Sequence, residues 1–102
     1  MRKRKPSHPG LILKQHYIKP LSLSITQVAE TLGISRKTLS KIINSSASIT
    51  PDVALRLSKA FDTSPELWLN LQQTYNLWMA ANSSKEWKKV HRFAFHEADI
   101  VV

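Results

Sequence analysis

The sequence predicts an all-α domain of five helices with a short C-terminal extension. Apolar residues recur at helical spacing, a helix-start signal precedes nearly every group, and no strand-like alternation lasts four residues before position 90. The length of 102 residues suits one domain with a modest core. We expect a basic flexible N-terminal tail over residues 1–7, the helical domain over residues 8–82, and the extension over residues 83–102.

The first two helices are predicted from their start and stop signals. The run LILKQHYI at residues 11–18 follows a proline and a glycine and ends before Pro20. Ser24 can cap the second helix, and Gln27 three residues later completes a capping box. Gly33 permits the positive φ that ends this helix. Its predicted inward face consists of Ile25, Val28, Ala29 and Leu32.

The remaining helices have equally clear start signals. Ser35 can cap a third helix after a turn short enough to force a sharp angle. The stretches at 50–52 and 64–66 each place a hydroxyl cap, a proline and an acid in order, and they begin the fourth and fifth helices. The fifth helix would run to about Ala81. The apolar stripe of the fourth would consist of Val53, Ala54, Leu57, Ala60 and Phe61.

The net positive charge comes from one half of the chain. The formal net charge is +8, and residues 1–50 carry nine basic side chains against the single acid Glu30, whereas residues 51–102 carry six of each sign. This asymmetry indicates a polyanion, either nucleic acid or an anionic membrane, with a merely soluble basic protein as the alternative.

Several classes of protein are disfavoured by composition. The absence of cysteine excludes thiol nucleophiles and Cys-ligated zinc and fits a reducing compartment. No apolar run approaches the roughly 20 residues needed to cross a bilayer, so we expect a soluble, cytoplasmic protein with no membrane partner. His91 and His96 are five apart, out of register for one helical face, and the carboxylates are scattered. We therefore expect no metal, no cofactor and no enzymatic activity.

The third helix separates its side chains by chemistry. Leu39, Ile42 and Ile43 fall on one side of a helical wheel, while polar and cationic residues occupy an arc of roughly 140° on the other. A helix of this width fits the DNA major groove, where guanine presents two acceptors to Arg or Lys. Together with the glycine turn and the capped helix before it, the pattern predicts a helix-turn-helix that binds double-stranded DNA.

The predicted DNA contacts are polar side chains on these two helices. The three cations would contact base edges or flanking phosphates, and the first turn of the second helix would face a phosphate. Gln27 could equally serve only as the capping-box partner, and Ser35 fits a cap better than a base reader. The full set is Arg36, Lys37, Ser40, Lys41 and Asn44 in the third helix, Thr26 and Gln27 in the second, and Ser35 between them.

The fifth helix carries more apolar side chains than one buried stripe requires. A second buried face is therefore expected, most simply against a twofold partner. The alternative is a central helix wrapped by the others and by the C-terminal piece. A homodimer would set two third helices about 34 Å apart, one turn of DNA. The predicted dimer contacts are Leu67, Trp68, Leu71, Tyr75 and Trp78.

The sequence at each end of the chain is compatible with more than one interpretation. The RKRK run at residues 2–5 would most simply be solvated, with a minor-groove arm as the alternative and a membrane anchor disfavoured because no apolar face accompanies it. Near the other end, Trp87, Val90 and Ala94 have helical spacing, yet RFAF at residues 92–95 alternates like a strand.

From about His8 to Leu77 the chain resembles the HigA/VapI antitoxins, a branch of the XRE-type helix-turn-helix proteins that includes lambdoid phage repressors. The resemblance lies in HPGLILKQHYIKPLSLS, QVAETLGISRKTLSKIIN and ITPDVALRLSKAFDTSPELWLNLQQTYNL. It implies a lambda-repressor-like fold, a homodimer and a palindromic operator. It also implies a HigB-type toxin, a RelE-like ribonuclease that cleaves mRNA and that HigA-like proteins neutralise while repressing the shared operon. A stand-alone or phage-like repressor without a toxin, or a protein-only adaptor, would be the alternatives.

Three departures from the family pattern matter for function. Ile25 stands where the family usually has Gln, which weakens a contact to phosphate or base there. After Asn44 the family often has glycine and then basic residues, but this chain has Ser45, Ser46 and Ala47. One source of phosphate contacts is therefore missing from this loop. The ending SSKEWKKVHRFAFHEADIVV is not matched to the family.

Overall fold

The computed structural model describes residues 4–94, and within them every regular element is helical. A one-turn π-helix, Lys14–Ile18, continues the first helix, and a short 3-10 helix, Glu86–Lys89, follows the last. The predicted all-α class with five helices is confirmed. These helices are α1 (Pro9–Leu13), α2 (Ile25–Leu32), α3 (Arg36–Ile43), α4 (Pro51–Phe61) and α5 (Pro65–Ser83).

Helices α2 to α5 begin at the capping residues that the sequence predicts. In each, the cap hydroxyl accepts a hydrogen bond from the backbone N–H three residues later, as the unsatisfied donors of a first turn require. The donor–acceptor distances lie between 3.0 and 3.3 Å. The caps are Ser24, Ser35, Thr50 and Ser64.

The π-helical turn has no counterpart in the sequence prediction. The Lys19 N–H donates to the Lys14 carbonyl at 2.9 Å, a bond spanning five residues. The turn extends the first helix as far as Ile18, which is buried, and ends before Pro20 as predicted.

The core lies between α1, α2, α3 and α4 and is closed by the N-terminal half of α5, which packs against α1 and α4. Ala60, predicted on the buried stripe of α4, is exposed. It borders an open groove beside Leu21 and Leu23, and no helix packs over it there. Ile25 is half-buried against the core. Side chains with 0% exposure are Leu13, Leu39, Ala54, Leu57 and Trp68.

Beyond α5 the described part of the extension lies on the surface. The Trp87 indole N–H donates to the Ala81 carbonyl at 3.3 Å, and the indole remains 50% exposed. Residues 90–94 have no regular secondary structure. Phe95, which completes the alternating RFAF run, and His96, the second member of the histidine pair, lie outside the described residues.

Candidate nucleic-acid interface

Helix α3 presents its predicted DNA-contacting side to solvent. The aliphatic residues Leu39, Ile42 and Ile43 are buried, which fixes the rotation of the helix about its axis. On the opposite side Ser40 is half-buried and the other predicted contacts in α3 are exposed. Those exposed residues are Arg36, Lys37, Lys41 and Asn44.

The turn between α2 and α3 depends on Gly33. Its φ of 71° lies in the left-handed region, where a side chain would be strained. The Gly33 N–H donates to the Glu30 carbonyl and the Ile34 N–H to the Ala29 carbonyl, both at 3.1 Å. These bonds close the end of α2 and begin α3 within three residues, which sets the angle between the two helices.

Arg56 on α4 fastens this turn to the domain, a role that the sequence did not predict. Its guanidinium donates to the Leu32 carbonyl at 2.8 Å and to the Gly33 carbonyl at 3.4 Å. Asp52 one turn earlier accepts from the same group at 2.9 Å and orients it. The spacing of Asp52 and Arg56 could have indicated the ion pair, but the contact with a carbonyl 24 residues away depends on the tertiary fold.

The cations of α3 are not neutralised by any carboxylate in the described part of the chain. The ion pairs formed within residues 4–94 are Asp52–Arg56 and Glu86–Lys89. Arg36, Lys37 and Lys41 therefore have no carboxylate partner in the described structure. An exposed group of like charges without counter-charges produces a positive field suited to a polyanion.

The start of α2 is organised as a capping box. Ser24 Oγ accepts from the Gln27 N–H at 3.0 Å, and Gln27 Oε1 accepts from the Ser24 N–H at 2.8 Å. The cap uses the carbonyl end of the Gln27 side chain, which leaves its amino group as a donor. Thr26 is exposed beside it. This turn can therefore donate to a phosphate through Thr26 and the Gln27 amide.

Ser35 is occupied by its own helix. Its hydroxyl accepts from the Thr38 N–H at 3.0 Å and donates to Thr38 Oγ1 at 2.8 Å. The hydroxyl oxygen is thus used by the cap and its proton by the Thr38 side chain, so Ser35 is not among the proposed DNA contacts.

One side of α5 carries a half-buried apolar stripe. Leu67 and Leu71 line a shallow groove together with Thr74 and with Pro6 and Ile12 from the N-terminal region. Tyr75 and Trp78, which continue the stripe along the helix, are also half-buried.

Trp68 was predicted to contact the partner copy, but it lies in the core of its own chain. Its side chain has 0% exposure, its ring lies 5.2 Å from that of Tyr17, and its indole N–H donates to Thr63 Oγ1 at 2.7 Å. A residue enclosed by its own chain cannot reach a partner. The prediction was wrong because the excess of apolar residues on α5 includes the tryptophan that fills the core.

Two buried polar residues, which the sequence did not single out as functional, hold the loop after α3. Gln72 Oε1 accepts from the Ile49 N–H at 2.8 Å, across 23 residues. His8 is 4% exposed, caps α1 by accepting from the Gly10 N–H at 2.9 Å, and forms a hydrogen bond with the Ala47 backbone. Burial lowers the pKa of His8, while the bond with Ala47 opposes the shift. Only the helical position of Gln72 on an otherwise apolar stripe could have drawn attention to it.

Other kinds of site find no support in the described structure. Within residues 4–94 no three His, Asp or Glu side chains are grouped closely enough to hold a metal ion. None of the helices described is both long and apolar enough to span a membrane.

The chain is similar in sequence to bacterial DNA-binding regulators. A helix-turn-helix family model matches residues 15–68, which include α2 and α3. A helix-turn-helix-type transcriptional regulator of Haemophilus influenzae is 47% identical over 78 residues, covering 76% of this chain and 73% of the relative.

Two solved structures share the fold at appreciable sequence identity. An addiction module antidote protein of the HigA family from Coxiella burnetii is 40% identical with a TM-score of 0.81, covering 88% of this chain and 100% of its own. The Pseudomonas aeruginosa antitoxin HigA, solved with the higBA promoter, is 33% identical with a TM-score of 0.78, covering 87% and 99%.

Proposed function

Because the chain belongs to the HigA branch of the helix-turn-helix family, we propose that it is a DNA-binding antitoxin that represses its own operon. The observation that carries this proposal is the exposed side of α3, where Arg36, Lys37 and Lys41 lack carboxylate partners within the described structure. The similarity to an antitoxin solved with its promoter supports the same assignment.

The mechanism follows from how α3 is held. Its buried aliphatic side and the Gly33 turn fix the helix rigidly, so the cations and Asn44 project together toward a groove. Arg36 and Lys41 would donate to guanine edges or to the phosphates beside them, and Ser40 and Asn44 would add polar contacts. The first turn of α2 would donate to one phosphate through its backbone, Thr26 and the Gln27 amide.

A homodimer would read a palindromic operator. The stripe formed by Leu67, Leu71, Tyr75 and Trp78 is the face we assign to the partner copy, because it is apolar and only half-buried. Pairing two copies would place two α3 helices one DNA turn apart, about 34 Å.

The antitoxin role includes a protein partner, a HigB-type toxin that cleaves mRNA. Such an antitoxin acts by binding and not by catalysis, and it works in the cytoplasm, where operator and toxin are found.

The test of DNA binding is affinity for the DNA upstream of the protein's own gene, measured by fluorescence anisotropy against an unrelated duplex. Affinity should fall by orders of magnitude between about 50 and 200 mM salt, since binding releases counterions. Lys41→Ala should cost about 1–3 kcal/mol on the operator and less on the unrelated duplex. Lys59→Ala, an exposed lysine on α4, is the matched control and should change neither.

The toxin assignment has its own test. We expect a small basic protein encoded beside the gene to co-purify with the tagged chain and to lose its ribonuclease activity in the complex. Operator binding without any such partner would instead identify a repressor that has no toxin.

A further inference from the structure

The loop after α3, residues 44–49, is hydrogen-bonded back to the end of that helix. The Ser46 and Ala47 N–H groups both donate to the Lys41 carbonyl, at 2.8 and 3.1 Å. The Ser46 hydroxyl donates to the same oxygen at 3.1 Å. A shift of the backbone at Ala47 would therefore shift the Lys41 peptide as well. Lys41 is one of the side chains proposed to contact the operator, and Asn44, another, begins this loop.

The buried ring of His8 holds the loop at Ala47. Its Nδ1 accepts from the Gly10 N–H at 2.9 Å, so in the neutral ring the proton is carried by Nε2. Burial lowers the pKa of His8, and the bond with the Ala47 backbone opposes that shift, as a bond donated by the ring to a carbonyl oxygen does. His8 therefore donates through Nε2 to the Ala47 backbone.

The position of the His8 ring is itself fixed by two helices. The ring meets that of Tyr75 on α5 edge-on, with 4.9 Å between the ring centres and 81° between the ring planes. Its bond to Gly10 lies in the first turn of α1. A Cβ at Gly10 would overlap the Ile42 carbonyl oxygen, so this turn lies directly against the end of α3. The ring N–H is thus held in place by α1 and α5.

We propose that His8 is a positioning residue for operator recognition, which holds the backbone of Ala47 and, through the Ala47–Lys41 hydrogen bond, the C-terminal end of α3. This inference rests on the proposed DNA-binding function. His8 is buried, so its effect on DNA binding comes from the alignment of Lys41 and Asn44 with the base edges. Phosphate contacts carry no sequence information, whereas paired donors on a base edge require exact placement. Recognition of the operator should therefore suffer more than general affinity for DNA.

Two substitutions separate this role from the capping of α1, because Asn and Gln each reproduce one nitrogen of the ring. His8→Asn keeps an acceptor for the Gly10 N–H but is too short to reach Ala47. His8→Gln places an amide N–H near the position of Nε2 but is not a favoured helix cap. Affinities for the operator and for an unrelated duplex are measured by fluorescence anisotropy. Urea denaturation followed by circular dichroism gives the stability of each variant and shows that it is folded.

The two variants should rank in opposite orders in the two measurements. His8→Asn should be the more stable variant, yet it should lose about tenfold in operator affinity and much less on the unrelated duplex. His8→Gln should be the less stable variant and keep operator affinity within about threefold of the wild type. Operator affinity that instead follows stability, with His8→Asn close to the wild type, would make His8 only the cap of α1 and overturn the inference.

A double-mutant cycle tests whether the effect of His8 passes through Lys41. In the Lys41→Ala background, His8→Asn should cost at most about threefold in operator affinity, because the main side chain that it positions is already absent. In the matched Arg36→Ala background, at the other end of α3, the loss of about tenfold should remain. Equal losses in the two backgrounds would contradict the route through Lys41 and overturn the inference.

Failure of this inference and failure of the proposed function give different results. If the wild-type protein binds the operator no better than the unrelated duplex, the proposed function fails and this inference fails with it. If the wild type prefers the operator and His8→Asn keeps the same preference, the inference alone is overturned.

Discussion

The exposed side of α3 and the half-buried apolar stripe of α5 are surfaces of different kinds. The exposed side of α3 bears cations that have no carboxylate partner among residues 4–94, and its aliphatic side is buried. The exposed side of α5 bears half-buried leucines and aromatic rings along a shallow groove. The first surface is complementary to a polyanion, and the second is complementary to an apolar surface of a partner.

Because the two surfaces differ in charge, their contributions to binding can be measured separately. Salt weakens contacts between charged groups and leaves apolar burial nearly unchanged at moderate concentration. A substitution on α3 should therefore alter the salt dependence of DNA binding, whereas a substitution on α5 should alter the association state. The following predictions test this separation from the largest expected effect to the smallest.

The largest effect should come from the core tryptophan of α5. Trp68→Ala removes a side chain with 0% exposure and its hydrogen bond to Thr63, so the free energy of unfolding should fall by about 3–5 kcal/mol. Urea denaturation followed by circular dichroism measures this change. Trp87→Ala, at a half-exposed tryptophan, is the control and should cost under about 1 kcal/mol. A small loss at Trp68 would make that residue an interface candidate again.

The next effect concerns the apolar stripe of α5. Leu71→Glu or Thr74→Glu places a charge in the groove proposed to receive the second copy, so we expect monomers by light scattering. Operator affinity should fall about 100-fold because two half-sites are no longer linked. Thr74 is exposed, so its variant should keep the fold of the monomer.

Gln73→Glu provides the control for this stripe, since Gln73 is exposed and lies on the other side of α5, toward Ile49 and Leu77. It should leave the dimer intact. Persistent dimers in the Leu71 and Thr74 variants would place the interface elsewhere.

A smaller effect is expected at the hydrogen bonds by which Arg56 holds the turn between α2 and α3. Arg56→Ala removes the donors to the Leu32 and Gly33 carbonyls, which should lower the free energy of unfolding by about 1–2 kcal/mol. Amide hydrogen exchange at Gly33 and Ile34 should accelerate, because the turn loses its attachment to α4. Arg56→Lys should restore only part of this protection, since an ammonium lacks the fork of donors. If Gly33 and Ile34 exchange at the same rates in Arg56→Ala as in the control Lys59→Ala, the Arg56 hydrogen bonds do not stabilise the turn.

The smallest effect is a pH dependence through His8. Its folded-state pKa lies below the ordinary value of 6.5, chiefly because burial disfavours the charged ring. The unfolded chain therefore binds a proton first as the pH falls, so stability is complete above 6.5 and declines below it.

This decline is measured by urea denaturation at several values between about pH 7.5 and 5. His8→Asn keeps a capping oxygen for Gly10 and should remove part of the decline. His16→Asn, at an exposed histidine, should leave it unchanged. Parallel curves for wild type and the His8 variant would contradict the assignment.

Local signals in the sequence were sufficient for the helices and for the exposed cations. Capping hydroxyls, prolines and Gly33 act within a few residues, so the starts of α2 to α5 and the end of α2 could be located in advance. The helical wheel placed Leu39, Ile42 and Ile43 inside for the same reason.

The features that depend on distant residues could not be predicted in this way. Arg56 reaches the end of α2, and Gln72 reaches the loop after α3, through contacts made only when the helices pack. The excess of apolar residues on α5 did not reveal which members face inward, and so Trp68 was assigned to the wrong surface. Ala60 was misplaced because periodicity does not say where a neighbouring helix stops.

The hydrogen bond between the Ile49 N–H and Gln72 joins the loop after α3 to the middle of α5, the helix assigned to dimer formation. Gln72 also donates to Asn76 at 2.9 Å, which holds the orientation of the Gln72 amide on α5. In the proposed dimer, the distance between the two α3 helices would then be set by how the two α5 helices pack against each other. If the spacing of the operator half-sites were altered, the DNA would have to twist to fit the dimer, because the distance between the two α3 helices is fixed by the protein.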